Sequence, residues 1–187
     1  MGKGIVELIP EITSIKDEDL RQKVINIWEE AVSLGGWDSP AEIPFNTELG
    51  TSPSLINHTR SVTRIALSFA QEYERDYGKC IDRDMLAVIA ILHDVSKALE
   101  IEPGPDGPVK SALGKKVPHG IFGGYLAWKE GLPLDCIHLI ITHTPRIAML
   151  PARLEGIILA YADLLDADSH FFRGKVKTIM ERHRFEE

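Results

Sequence analysis

Apolar side chains recur at helical spacing in three stretches of the first half of the chain. Residues 20–31 and residues 55–69 each place apolar side chains at i, i+3 and i+4, and a glycine follows both stretches. That spacing predicts amphipathic helices. A third helix is expected to begin near Asp82, a favourable N-cap residue, and to carry the apolar run 85–92.

The second half of the chain continues this pattern after a loop rich in proline and glycine. Helices are predicted across 118–131, across 134–143 and from Pro151 onward, and the tail from residue 172 predicts a last one. The helix after Pro151 is expected to pack through a core stripe formed by Leu154, Ile157, Ile158, Tyr161 and Leu165. No stretch alternates with period two for long enough to predict a strand, so the expected fold is all-α.

Composition narrows the class of protein. With 187 residues, of which 44% are hydrophobic, the chain can bury one substantial core, so a single domain over 1–187 is expected. The net charge of −7 and the dispersed basic residues argue against nucleic acid as a partner. No apolar run reaches the roughly 18 residues that cross a bilayer, which argues against a membrane protein. The two cysteines form no CxxC pair, which suits buried free thiols in a reducing cytoplasm.

The loop across 102–117 is the one long segment for which no regular structure is predicted. Three prolines and two glycines fall within its stretch EPGPDGP. Most loops of this length are functional lids or disordered links. Lys110, Lys115 and Lys116 add positive charge, so the loop is interpreted as a flap over an anionic substrate, with a solvated insertion as the alternative.

Six polar residues fall on the inward faces or at the ends of the predicted helices, where burial is costly unless another group compensates them. They are His58, His93, Asp94, His119, His143 and Asp163. Imidazole and carboxylate groups without cysteine suit Mn, Fe, Co, Ni, Zn or, with more oxygen ligands, Mg. Each histidine taken alone has an ordinary alternative, such as a hydrogen-bonded core residue or a helix-capping residue. Their joint occurrence with a His-Asp doublet favours a divalent metal site.

The order His58, then His93-Asp94, then Asp163 resembles the H…HD…D signature of the HD-domain metal-dependent phosphohydrolase superfamily. The resemblance extends from about residue 55 to residue 168, and its most specific parts are INHTRSV, AILHDVSK and YADLLDAD. It implies that the fold is a compact HD-domain helical bundle.

The resemblance also implies how the single domain is divided. Residues 1–50 are expected to form an N-terminal helical extension, 51–170 the HD core and 171–187 a C-terminal helix. The stretches around His119 and His143 are similar to those of small bacterial HD proteins that hydrolyse diadenosine tetraphosphate. Dinuclear members of the superfamily carry two additional histidines at these places.

By the resemblance, the six residues hold two divalent metals. The first metal would be bound by His58, His93, Asp94 and Asp163, and the second by His119, His143 and the bridging Asp94. Metal coordination lowers the pKa of bound water towards about 7, which supplies hydroxide at neutral pH. Lys97 and Arg146 are the expected partners of a substrate phosphate, with solvated surface cations as the alternative. The expected catalytic residues are Asp94 and Lys97.

The sequence therefore predicts an enzyme that cleaves a phosphoester or phosphoanhydride bond of a small nucleotide-like substrate with metal-activated hydroxide. Two other functions fit the same residues. A di-iron HD-domain oxygenase would use the same six ligands, and a catalytically silent nucleotide-binding regulatory module would share the fold. The sequence makes no prediction of the oligomeric state.

Overall fold

The structure, a computed structural model, describes residues 4–49, 52–144, 147 and 149–183. Its regular structure consists of helices and one short β-hairpin within these ranges, which confirms the predicted all-α class. The helices are α1 (Ile5–Leu8), α2 (Glu18–Gly35), α3 (Leu55–Tyr77), α4 (Arg83–Leu92), α5 (Lys97–Glu100), α6 (His119–Lys129), α7 (Leu134–Thr142), α8 (Leu154–Arg173) and α9 (Ile179–His183). The hairpin strands are β1 (Ile101–Glu102) and β2 (Val109–Lys110).

Local chemistry accounts for the ends of α2 and α4. The Asp17 carboxylate accepts hydrogen bonds from two backbone amides in the first turn of α2. Gly36 ends this helix with a φ of 72°, a conformation that glycine adopts without strain. At the start of α4, Asp82 accepts a hydrogen bond of 3.0 Å from the amide of Met85, so the predicted N-cap is confirmed.

Helix α4 is the centre of the bundle. Every residue from Leu86 to Leu92 is buried, and α2, α3, α7 and α8 all pack against this helix. A helix that is apolar on all sides must be enclosed by other elements. The Trp28 indole of α2 donates a hydrogen bond of 3.1 Å to the carbonyl of Ile91 and so holds the last turn of α4. His93 and Asp94, which follow α4, therefore lie in the interior.

The prediction that 102–117 lacks regular structure is wrong in part. Strands β1 and β2 form an antiparallel hairpin in which Ile101 lies opposite Lys110. The prolines lie in the turn between the strands, where they remove no hydrogen bond of the ladder. Gly107 in this turn has a φ of 118°, which favours glycine. Each strand has only two residues, too few for a period-two pattern to predict them.

The predicted core stripe of α8 is wrong at three of its five positions. Ile157, Tyr161 and Leu165 are exposed, by 45%, 72% and 59%. The buried residues of this helix are instead Glu155, Gly156, Ile158, Leu159, Ala162, Asp166, Ala167 and Phe171. Because α8 carries apolar residues on both faces, its periodicity alone does not choose the face that packs against α3 and α4.

The predicted burial of the cysteines is confirmed for one of the two. Cys136 is buried, whereas Cys80 is exposed. The helix predicted after residue 172 is short, because α8 continues to Arg173 and α9 begins only at Ile179. Among the described residues, no helix combines the length and the apolar character needed to cross a membrane. The division into an N-terminal extension, an HD core and a C-terminal helix stays a prediction.

Candidate metal centre

The six residues predicted to bind metal come from five helices or their ends and meet beside the C-terminus of α4. In chain order they are His58 on α3, His93 and Asp94 after α4, His119 at the start of α6, His143 after α7 and Asp163 on α8. Four of them are at most 3% exposed, whereas His119 and Asp163 are partly exposed. Residues that are distant in the sequence thus form one buried polar cluster.

Four of these residues form a first ligand group, which consists of His58, His93, Asp94 and Asp163. The Nε2 atom of His58 lies 3.2 Å from Asp94 Oδ2 and 3.2 Å from Asp163 Oδ1. One donor atom of each residue lies within 4.8 Å of those of the others. This spacing suits one cation between them, because metal–ligand distances for nitrogen and oxygen are about 2.0–2.2 Å.

A second ligand group consists of Asp94, His119 and His143. Asp94 Oδ1 lies 3.2 Å from His119 Nε2 and 3.6 Å from His143 Nε2. The other oxygen, Asp94 Oδ2, faces the first ligand group. The two groups therefore share Asp94, which has the position of a bridging carboxylate.

Two of the four histidines are oriented by backbone carbonyls. His93 Nδ1 donates a hydrogen bond of 2.8 Å to the carbonyl of Ala90, and His143 Nδ1 donates one of 2.6 Å to the carbonyl of Ile140. A carbonyl can only accept, so each Nδ1 carries a proton and each Nε2 is the atom directed at the cluster. Metal-binding histidines in proteins are held in this way.

A carboxylate lies beside the Nδ1 atom of each of the other two histidines. His58 Nδ1 lies 2.7 Å from Asp166 Oδ2, and His119 Nδ1 lies 3.1 Å from Glu100 Oε2. Sequence reasoning missed both carboxylates as site residues. A signal existed for Asp166, which follows Asp163 by three residues on the same helix. No pattern in the sequence connects Glu100 with His119.

Three of the atoms that could bind a metal have no other regular partner. Both oxygens of Asp94 and the Nε2 atom of His143 are buried without a hydrogen bond of regular geometry. Lys97 offsets part of the charge, since its Nζ lies 2.7 Å from Asp94 Oδ2. Buried polar atoms in proteins nearly always have partners. The donor set therefore fits divalent cations, which would provide partners for these atoms.

The electrostatics of the cluster favour a cation as well. Burial lowers the pKa of His58, but hydrogen bonds with the three surrounding aspartates outweigh burial and raise this pKa to about 10. Burial raises the pKa of Asp94, but the neighbouring Lys97 and histidines outweigh it and hold this pKa well below its usual range. Ionised carboxylates in a buried position attract positive charge.

The two ligand groups open into a cleft of about 170 Å³. Ligands from both groups line its inner end together with Lys97, whose Nζ lies 4.0 Å from the centre of the Phe45 ring. The Phe45 ring also packs against the His58 ring, with 4.0 Å between their centroids. Phe45 was missed at the level of sequence, because it lies in an irregular segment without periodicity.

The basic residues that were predicted to contact substrate have separate outcomes. Lys97 lines the cleft, whereas Arg146 lies outside the described residues. Of the predicted flap, Lys110 lines the cleft and forms an ion pair of 3.3 Å with Glu100. Lys115 and Lys116 are both exposed. The role of this segment as a flap stays a prediction.

Comparison with known proteins defines the class to which this fold and cluster belong. Residues 55–168 match the model of the HD domain family, and the chain belongs to this family. It is a metal-dependent phosphohydrolase of the HD type, as predicted.

One curated relative is similar over nearly the whole chain. The chain is 29% identical to the dihydroneopterin 2′,3′-cyclic phosphate phosphodiesterase of Methanocaldococcus jannaschii. The alignment covers 95% of this chain and 74% of that protein. No solved structure shows a significant match to the chain.

Replacing Asp166 by asparagine is expected to weaken metal binding at the first ligand group by about 10–100-fold. The asparagine oxygen can still accept a hydrogen bond from His58 Nδ1, but it lacks the charge that strengthens this bond and makes the ring a better ligand. Calorimetric titration of metal-stripped protein with Mn²⁺ measures the effect. Asp38→Asn, an exposed change outside the cleft, is the control. Equal Mn²⁺ affinities in the two variants would show that the charge of Asp166 does not strengthen His58 as a ligand.

Proposed function

We propose that this protein hydrolyses a cyclic phosphodiester of a small nucleotide-like molecule with two divalent cations. The observation that carries the proposal is the position of Asp94, whose two oxygens face different ligand groups at the inner end of the cleft. Two cations about 3.5–4 Å apart can contact both the attacking and the leaving oxygen of a phosphoryl displacement. The ligand types suit Fe, Mn, Co, Ni, Zn or Mg.

Each ligand has a proposed role in this site. His58, His93 and Asp163 would complete the first metal site, His119 and His143 the second, and Asp94 would bridge the two. When bound, the metals lower the pKa of water and offset negative charge on the phosphate. The backbone carbonyls and the carboxylates that hold the Nδ1 atoms keep the imidazole rings directed at the metals.

Lys97 is the proposed contact to the substrate phosphate and the second catalytic group. Its side chain is 12% exposed, and the ion pair with Asp94 and the packing over Phe45 keep its ammonium at the inner end of the cleft. There it would donate a hydrogen bond to a non-bridging phosphate oxygen and stabilise the charge that builds up during displacement. Arg146 stays a predicted second contact to phosphate.

A 2′,3′-cyclic phosphate is the substrate class that we favour. The relative from Methanocaldococcus jannaschii is named for such a substrate, and its similarity covers both ligand groups. In the reaction, a water oxygen forms a bond to phosphorus while one ring P–O bond breaks. The water loses a proton and the departing alkoxide gains one. The product is a phosphomonoester beside a free hydroxyl group.

The test of this function is a substrate panel with anaerobically purified, metal-loaded protein. We expect 2′,3′-cyclic nucleotides to be hydrolysed faster than 3′,5′-cyclic nucleotides and diadenosine tetraphosphate, and chelation with EDTA to remove the activity. Phosphomonoester products are measured by chromatography. Turnover of the tetraphosphate alone would contradict the cyclic substrate. A strict requirement for O₂ would contradict hydrolysis and favour the oxygenase.

A further inference from the structure

The outer wall of the cleft is built from two segments that flank the HD match. Before residue 55, the segment 46–48 that follows Phe45 lines the cleft, and after residue 168 Phe171, Ile179 and Arg182 do so. The inner end, in contrast, is formed by residues within the match, such as Asp94 and His119. This outer wall therefore lies outside the part of the chain that matches the HD family.

The two flanking segments are held against each other beside the metal centre. A small apolar cluster joins them through Phe45, Leu49, Ala167 and Phe171, with Val176 and Ile179 packed against it. The carboxylate of Asp168 accepts hydrogen bonds from the amides of Ile179 and Met180 and thereby anchors α9 on α8. This packing places the end of α9 over the cleft.

Glu48 and Arg182 are the charged residues of the outer wall. Arg182 Nη2 lies 2.7 Å from Glu48 Oε2, and the guanidinium lies 4.9 Å from the centre of the Phe171 ring. The side chain of Arg182 is 33% exposed and that of Glu48 is 51% exposed. An exposed ion pair of this kind adds little to stability, so a ligand can separate its partners at little cost. The pair therefore presents the Glu48 carboxylate, which accepts hydrogen bonds, next to the planar Arg182 guanidinium, which donates them.

We propose that Glu48 and Arg182 recognise the 2-amino-4-oxopyrimidine edge that pterins and guanine share, an inference that rests on the proposed function for the phosphate end. The carboxylate accepts hydrogen bonds from the amino group and the adjacent ring N–H, and the guanidinium donates to the carbonyl oxygen. Phe171 and Ile179 provide an apolar flank for the ring. The heterocycle of the substrate therefore occupies the outer cleft, and its phosphate occupies the inner end.

This recognition discriminates against other heterocycles. Adenine and cytosine place an unprotonated ring nitrogen beside their amino group, so its lone pair would face the Glu48 carboxylate. Uracil has one ring N–H between two carbonyls and offers the carboxylate a single hydrogen bond. A site that leaves a charged acceptor unpaired rejects such ligands.

The test uses ligands without phosphate, so that it does not depend on hydrolysis. Mn²⁺-loaded protein is titrated by calorimetry with guanosine, neopterin and adenosine. We expect guanosine and neopterin to bind at least about tenfold more tightly than adenosine, and Glu48→Gln to remove this preference. Glu42→Gln, an exposed change outside the cleft, should retain it. The tighter of the two favoured ligands indicates whether the natural ring is a purine or a pterin.

The outcomes separate this inference from the proposed function. Equal binding of adenosine, or an unchanged preference in Glu48→Gln, overturns the recognition of the 2-amino-4-oxopyrimidine edge. If the preference holds but no cyclic phosphate is hydrolysed, the proposed function fails alone. If cyclic nucleotides of all four bases are hydrolysed at equal rates, the recognition fails while the hydrolytic function stands.

Discussion

Replacing Asp94 by asparagine is expected to abolish turnover and to reduce bound metal from two equivalents to nearly none. Asparagine keeps the shape of the side chain but removes the charge that both ligand groups share. An amide nitrogen at the position of Oδ2 would also face the Lys97 ammonium, which cannot accept a hydrogen bond. Because loss of an outer-shell partner alone costs about 10–100-fold, loss of a shared ligand should cost more than 100-fold in activity.

The measurement for Asp94→Asn pairs elemental analysis of metal with the hydrolysis assay. Asp106→Asn changes an exposed aspartate in the hairpin turn and is the matched control, which should retain both metals. Circular dichroism checks that both variants are folded. A folded Asp94→Asn protein with two metals and normal turnover would show that the centre is assigned to the wrong residues.

His119→Ala is expected to reduce metal content from two equivalents to about one and to lower turnover strongly. His119 and His143 are the only members of the second ligand group that do not belong to the first. The first group would therefore keep its four ligands. His119 is the better position for substitution because its side chain is 14% exposed, so that its removal leaves a smaller cavity than removal of the buried His143.

Elemental analysis and calorimetry with Mn²⁺ measure the effect of His119→Ala. His138→Ala is the control, because His138 lies on α7 outside both ligand groups and accepts a hydrogen bond from the amide of Ala152. If His119→Ala still bound two metals with unchanged affinities, His119 would not be a ligand and the second ligand group would be assigned to the wrong residues. A loss of both metals would show that the two sites are not independent.

Helical periodicity and the order of polar residues were enough to predict the scaffold of this site. The apolar run of α4 required burial on all sides, so the His93-Asp94 doublet after it had to lie inside the molecule. The predicted N-cap at Asp82 and the glycine after α2 set helix ends through interactions between near neighbours in the sequence. Local interactions of this kind do not depend on the rest of the fold.

The sequence by itself determined the helical class, the positions of the main helices and which polar residues required compensation. Only the tertiary structure decided which distant groups meet. It paired Glu100 with His119 and Asp166 with His58, and it placed Phe45 against the cluster. These contacts join residues far apart in the chain, and their formation depends on how whole helices pack.

Helix α8 illustrates the same limit on a larger scale. Its pattern has two apolar faces, and packing buried the one that carries Ile158 and Leu159 while leaving Tyr161 in solvent. The hairpin of β1 and β2 likewise depends on backbone pairing across a turn, which side-chain periodicity does not record in strands of two residues. Periodicity reports which faces are apolar, whereas the burial of a face is decided by the competition among all elements for one core.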